Sequence, residues 1–221
     1  MAVQKDFTLR VICGGRVTAN GLKSRAMPAL APMIPSPPHA LAETRAWVDR
    51  AVIGLNLCPF AKAVQAKGQV RYVVSEATDG DALLAQLRDE MNALMAADPA
   101  LIDTTLLIHP QVLNDFLDFN DFLGAADEAL AQLGYEGMLQ VASFHPQFQF
   151  AGTDASDVTN ATNRSPYPTL HLLREASVDR AVAAFPQADV IYENNIRTLE
   201  ALGAEGWAAL QAQCQADAAG A

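Results

Sequence analysis

Gln140–Glu175, QVASFHPQFQFAGTDASDVTNATNRSPYPTLHLLRE, is the stretch on which the reading of the fold turns. It begins in the apolar run Met138 to Phe144, which reads as a strand and ends at His145-Pro146. A long polar loop follows, and then Thr169 to Ala184 reads as a helix with His171, Arg174 and Glu175 in its first turns. Loops of this length inside a compact domain are uncommon and often functional. This segment holds two of the four histidines and two arginines of an acidic chain.

Working outward, the segments alternate in type. Apolar positions Trp47, Val48, Ala51, Val52 and Leu55 fall on one face of a helix over residues 41–57. Cys58-Pro59-Phe60 breaks it, and Pro59 suits the start of a short helix ending near Ala66. Residues 69–75, QVRYVVS, read as a strand, residues 80–97 as an amphipathic helix, Thr104 to Ile108 as a buried strand, and residues 112–133 as a second long helix. Helices at 169–184 and 188–202 close the domain, with Pro186 between them and Gly203 and Gly206 after. The pattern predicts an α/β fold: a small, mostly parallel three-stranded sheet of βαβ units, covered by helices, with a long functional loop and a C-terminal helical pair.

Length favours one domain over residues 41–207. Residues 1–40 carry five basic residues against Asp6, whereas the remainder has ten basic against 24 acidic. Proline-rich MPALAPMIPSPPH (27–39) continues neither a helix nor a central strand. The first forty residues therefore read as a disordered extension or an over-long start, with Met27 or Met33 as the beginning. Residues 208–221, rich in Ala and Gln, read as a fraying tail. A net charge of −10 disfavours nucleic acid and anionic membrane surfaces. Three widely spaced cysteines, Cys13, Cys58 and Cys214, form no disulfide framework and suit a reducing cytoplasm. No apolar stretch reaches a membrane span of about 18 to 20 residues.

Two strands end in the same dipeptide, His109-Pro110 and His145-Pro146. Parallel strands place both imidazoles at the carboxyl edge of the sheet, where open α/β sheets bind ligands. The alternative is a pair of strand-ending turns whose rings satisfy backbone groups. Cys58, beside Pro59 at a helix start, reads as a nucleophile with a lowered pKa or as a small buried hydrophobe. His171 and Glu175 share a helix face in this reading. Arg164 and Arg174 offer planar forks for a carboxylate or phosphate, or else anchor the loop and pair with surface acids. Asn163 and Ser165 flank the same turn, and Phe148 and Phe150 alternate as a wall or as core packing. No GxGxxG, Walker loop, HExxH or GxSxG is present, and nothing names a cofactor.

The strings TRAWVDRAVIGLNLCPFAKAV (44–64), GQVRYVVS (68–75), DFLDFNDFL (115–123), LQVASFHPQFQFAGT (139–153) and NRSPYPTLHLLREASVDRAV (163–182) resemble the bacterial family catalogued as domain of unknown function 1415. The resemblance covers about residues 43–207 and implies no activity, cofactor or mapped site. Chemistry alone then supports a small-molecule enzyme acting on an anionic substrate by hydrolysis or group transfer. His145, His171 and Cys58 are its catalytic candidates. Arg164, Arg174, Asn163, Ser165 and His109 are its substrate-binding candidates, in a pocket at the carboxyl edge closed by the loop 145–168. The alternative is a non-catalytic metal- or ligand-binding protein using His109, His145, His171 and Glu175, with Cys58 as a further donor. A third is a protein-interaction module with an acidic surface. The oligomeric state is not legible.

Overall fold

The computed structural model describes residues 35–184 and 190–220. The expectation for residues 1–40 falls, up to residue 34, outside the described residues; from Pro37 the chain is already helical. Helix α1 (Pro37–Trp47) runs directly into a π-helical stretch, Val48–Ile53. The Gly54 N–H reaches back five residues to the Asp49 carbonyl at 3.0 Å. A Cβ at Gly54 would stand 2.2 Å from the Arg50 carbonyl oxygen, so the wide turn needs glycine there. Helix α2 (Ala61–Ala66) follows the Cys58-Pro59 break.

Strand β1 (Val70–Val74), helix α3 (Gly80–Ala96), strand β2 (Thr104–Ile108), helix α4 (Phe116–Gln132) and strand β3 (Leu139–Phe144) follow the expected alternation. Helices α3 and α4 each start after an aspartate. The Asp79 carboxylate accepts the Ala82 N–H at 2.8 Å, and Asp115 accepts the Leu117 N–H at 2.8 Å. Leu83, Leu87, Met91 and Leu94 share one face of α3 and are all fully buried.

The sheet corrects the expectation. It has four strands in the order β1-β2-β4-β3, because Thr169–Arg174 is strand β4 and not the start of a helix. β1 and β2 pair parallel; β4 pairs antiparallel with both β2 and β3. The physical reason is two-fold. TLHLLR alternates, sending Leu170 and Leu172 into one core and His171 to the other face. β4 also satisfies the inner edges of two strands at once, which no helix can do. A helix does begin at Glu175, as α5 (Glu175–Ala184), so His171 and Glu175 never share a helical face.

Helices α3 and α4 cover one face of the sheet, over Leu107, Leu139, Leu170 and Leu172. On the other face Trp47, Val48 and Ala51 join Leu106, Ala161, Leu199 and Trp207 in a second core. The last helix, α6 (Ile191–Ala219), is kinked at Gly203, whose φ of 70° lies in the left-handed region. The expected helix end at Gly203 is thus a bend. The segment expected to fray continues as helix, because Cys214 and Ala218 are buried and Arg50 grips Asp217 through Nε at 2.6 Å and Nη2 at 3.0 Å.

Candidate functional site

The sequence points to the carboxyl edge of β2 and β3. Although β4 separates them, β2 and β3 run the same way, so His109 and His145 do leave the sheet at one edge. Both rings lie on the α4 side, stacked about Phe119 at centroid distances of 5.7 and 5.1 Å. His109 Nδ1 meets the Val112 carbonyl at 3.0 Å. His145 Nε2 meets the Leu113 carbonyl at 3.2 Å, and its Nδ1 accepts the Gln147 N–H at 3.0 Å. The two imidazoles therefore hold adjacent carbonyls of one loop, at a residue, Leu113, whose φ of 57° is unusual for a non-glycine. Burial lowers both pKa values to about 4, so both are neutral at pH 7.

The loop 145–168 is likewise turned inward. Asn160 Oδ1 accepts the Phe150 N–H and the Thr153 hydroxyl at 2.9 and 2.8 Å. Asn163 donates to the Ser143 carbonyl at 3.1 Å, and Ser165 donates to the Tyr167 carbonyl at 2.6 Å. Arg164 spends Nε on Phe148 O at 3.1 Å and Nη2 on Ala155 O at 2.7 Å. Tyr167 donates its hydroxyl to the buried carboxylate of Glu43, stitching the loop to α1. Arg174 is buried, and its guanidinium donates to the carbonyls of Leu94, Ala97 and Ile102, closing the carboxyl end of α3. Neither arginine presents a free fork. Among the described residues no three His, Cys, Asp or Glu side chains stand together to hold a metal, so His109, His145, His171 and Glu175 do not form the ligand set considered above.

The cavity lies elsewhere. It occupies about 620 Å³ on the face of the sheet opposite α3 and α4, between the strands, the π-helical stretch, α2 and α5, and of the loop 145–168 only Thr162 lines it. Its floor is buried and mostly apolar: Trp47, Val48, Leu57 and Leu106, with Thr104. Its mouth carries exposed Lys67 and Arg180. Such a volume and lining are those of a small-molecule pocket. Of the sequence-derived candidates, His171, Cys58 and Arg174 border it; His109, His145, Asn163, Arg164 and Ser165 do not. The rings of His145 and His171 lie on opposite faces of the sheet, so the expectation of one pocket holding both is overturned.

His171 sits at the centre of β4, in register with Leu106 on one side and Ala142 on the other. Its Nε2 meets the Thr104 hydroxyl at 2.7 Å, and Phe144 stands 6.0 Å away, ring to ring. Burial lowers its pKa to about 4. Cys58 is half-buried, and burial raises its thiol pKa, outweighing the Phe60 and Ala61 N–H groups that pull it down. The expectation of a lowered thiol pKa is thus reversed. Helix α2 has only six residues, and two N–H groups do not offset the lost hydration.

Lys67, Arg180 and Thr104 carry no signal of their own in the sequence, because each stands alone in an ordinary helix or strand pattern. The one available signal was indirect: Val70, Tyr72, Leu106, Phe144 and His171 occupy one face of the sheet, and that face carries a histidine where a core residue is expected. No curated protein and no solved structure matches the chain. The match to the family model for a protein of unknown function, DUF1415, spans residues 39–209, and the chain belongs to that family.

Proposed function

We propose that this protein binds a small amphipathic anion, with its apolar body in the cavity over β1, β2 and β4 and its charged end at the mouth. The observation that carries this reading is the cavity itself. It is an apolar chamber of about 620 Å³ bordered by three cationic side chains, Lys67, Arg174 and Arg180, and one acid, Asp103, in a chain where acids outnumber bases 25 to 15. Asp103 already accepts the Ser177 hydroxyl at 2.5 Å, and Arg180 leans on that hydroxyl at 2.8 Å, which leaves Arg180 facing the opening. Apolar burial supplies about 25 cal/mol per Å², and the cations set orientation. We place the protein in the cytoplasm, which suits the free thiols of Cys58 and Cys214.

A second reading, hydrolysis or group transfer on an anionic substrate, is favoured by one observation: Cys58 and His171 border the same cavity. In that reading the neutral imidazole is the base and the thiol the nucleophile.

Fluorescence titration with decanoate tests the first reading, because Trp47 lies in the cavity wall. Saturable quenching is expected, abolished by Leu106→Trp, which fills the chamber, and weakened by Arg180→Glu. Titration without saturation, or saturation unchanged in Leu106→Trp, would contradict it.

A further inference from the structure

The hydrogen bonds around Thr104 fix the tautomer of His171. The Thr104 hydroxyl has one proton and two close neighbours, the Leu172 carbonyl oxygen at 2.6 Å and His171 Nε2 at 2.7 Å. Two oxygens do not approach to 2.6 Å without a proton between them, so that proton goes to Leu172. The Thr104 oxygen must then accept from His171, which makes Nε2 the protonated nitrogen. His171 Nδ1 is left as a lone-pair acceptor. No described residue donates to it, and it is not sealed from solvent, so it keeps contact with the open space of the cavity.

Resting on the proposed binding of an amphipathic anion, we infer that His171 Nδ1 is a specificity-determining acceptor, and that the ligand carries a hydroxyl or amine donor at its buried end, away from its anionic end. A carboxylate cannot take that place, since it would set lone pair against lone pair. Nor does the ring turn cationic to meet it, because burial holds the imidazole neutral at pH 7. The anion is therefore left to Lys67 and Arg180 at the mouth. The ligand is polar at both ends and apolar between, as an ω-hydroxy acid or a hydroxyaryl acid is. A purely aliphatic acid that displaces water from Nδ1 leaves it without a partner, which costs affinity.

Matched probes test this. Octanoate, decanoate and dodecanoate are titrated beside their ω-hydroxy counterparts, so that a mismatch in length does not hide the effect. At the best-fitting length the hydroxy acid is expected to bind wild type about two- to tenfold tighter, the range of one neutral hydrogen bond. In His171→Phe the order is expected to reverse, because the hydroxyl then loses hydration without gaining a partner. Equal binding of both series to wild type would overturn the inference while leaving the binding site standing. Binding of neither series would overturn both. Nitrogen NMR of the wild-type protein with labelled histidine gives a readout independent of the variant's folding. It should show Nε2 protonated and Nδ1 bare, with Nδ1 shifting on addition of the hydroxy acid and not of the plain acid. A bare Nε2 would overturn the assignment at its root.

Discussion

The loop 145–168 and the cavity over β1, β2 and β4 are opposites. The loop is rich in the side chains of catalysis, yet those described above are turned to backbone or to one another: Arg164 to two carbonyls, Asn160 to two donors, His145 to Leu113 and Gln147. The cavity is built from side chains of a hydrophobic core, and it holds about 620 Å³ of space with one imidazole nitrogen unspent. Polar residues in a sequence report a need for hydrogen bonds. They do not report whether the protein or a ligand meets that need. In the loop the protein meets it.

The largest effect that would sharpen this contrast is acid sensitivity. His109 and His145 are fully buried, with pKa values lowered to about 4 against about 6.5 in an unfolded chain. Between those values the unfolded chain binds more protons, so stability rises with pH. The contribution is complete above about pH 6.5, is lost as the pH falls towards 4, and is flat below. Each histidine contributes on the order of 3 kcal/mol at most. Urea midpoints are expected to fall steeply across that window. His145→Gln, which keeps a donor for Leu113, should remove about a third of the slope, because His171 carries a shift of the same size. Midpoints that stay constant from pH 7 to 4 would show that neither ring is locked in the fold.

Next comes Arg174. Replacing it with Met leaves the Leu94, Ala97 and Ile102 carbonyls without their donor and should cost about 3 kcal/mol of stability. An arginine that served a ligand would instead leave the melting temperature of the free protein unchanged. Arg164→Lys is expected to cost less, about 1 kcal/mol, because its side chain is only half-buried and holds two carbonyls. Added phosphate or sulfate should stabilise Arg164→Lys and wild type equally. A wild-type protein that gains more from either anion would restore the loop as a binding site.

Much of the fold was legible. β2 matched its expected bounds, Thr104 to Ile108, because five consecutive apolar or β-branched residues between polar turns allow little else. Helix α3 is legible from its periodic leucines, whereas α4, expected from residue 112, starts only at Phe116, where the Asp115 cap sets its first turn. β4 was not. TLHLLR has no β-branched residue after Thr169, and its leucines suit a helix as well as a strand. Pairing with two strands distant in sequence settled its form. The cavity depends on β4 in the same way: read as helix, His171 pairs with Glu175, and read as strand, it faces the cavity. The π-helical stretch was also invisible, since Val48–Ile53 has the composition of an ordinary helix.

The smallest expected effect is kinetic. With its thiol pKa raised by burial, Cys58 should react with iodoacetamide at pH 7 more slowly than a free thiol of pKa about 8.5, and decanoate should slow it further. Rapid alkylation at neutral pH would favour the nucleophile reading and set the cavity's chemistry above its capacity to bind.

The most direct test of the central claim, that the site is the cavity and not the loop, is a chemical-shift map of the backbone amides during titration with ω-hydroxydecanoate. The predicted result is saturable shifts at Val48, Cys58, Leu106 and His171, with the amides of Phe150, Thr153 and Asn160 unmoved. Shifts confined to residues 145–168, with the cavity wall silent, would contradict it.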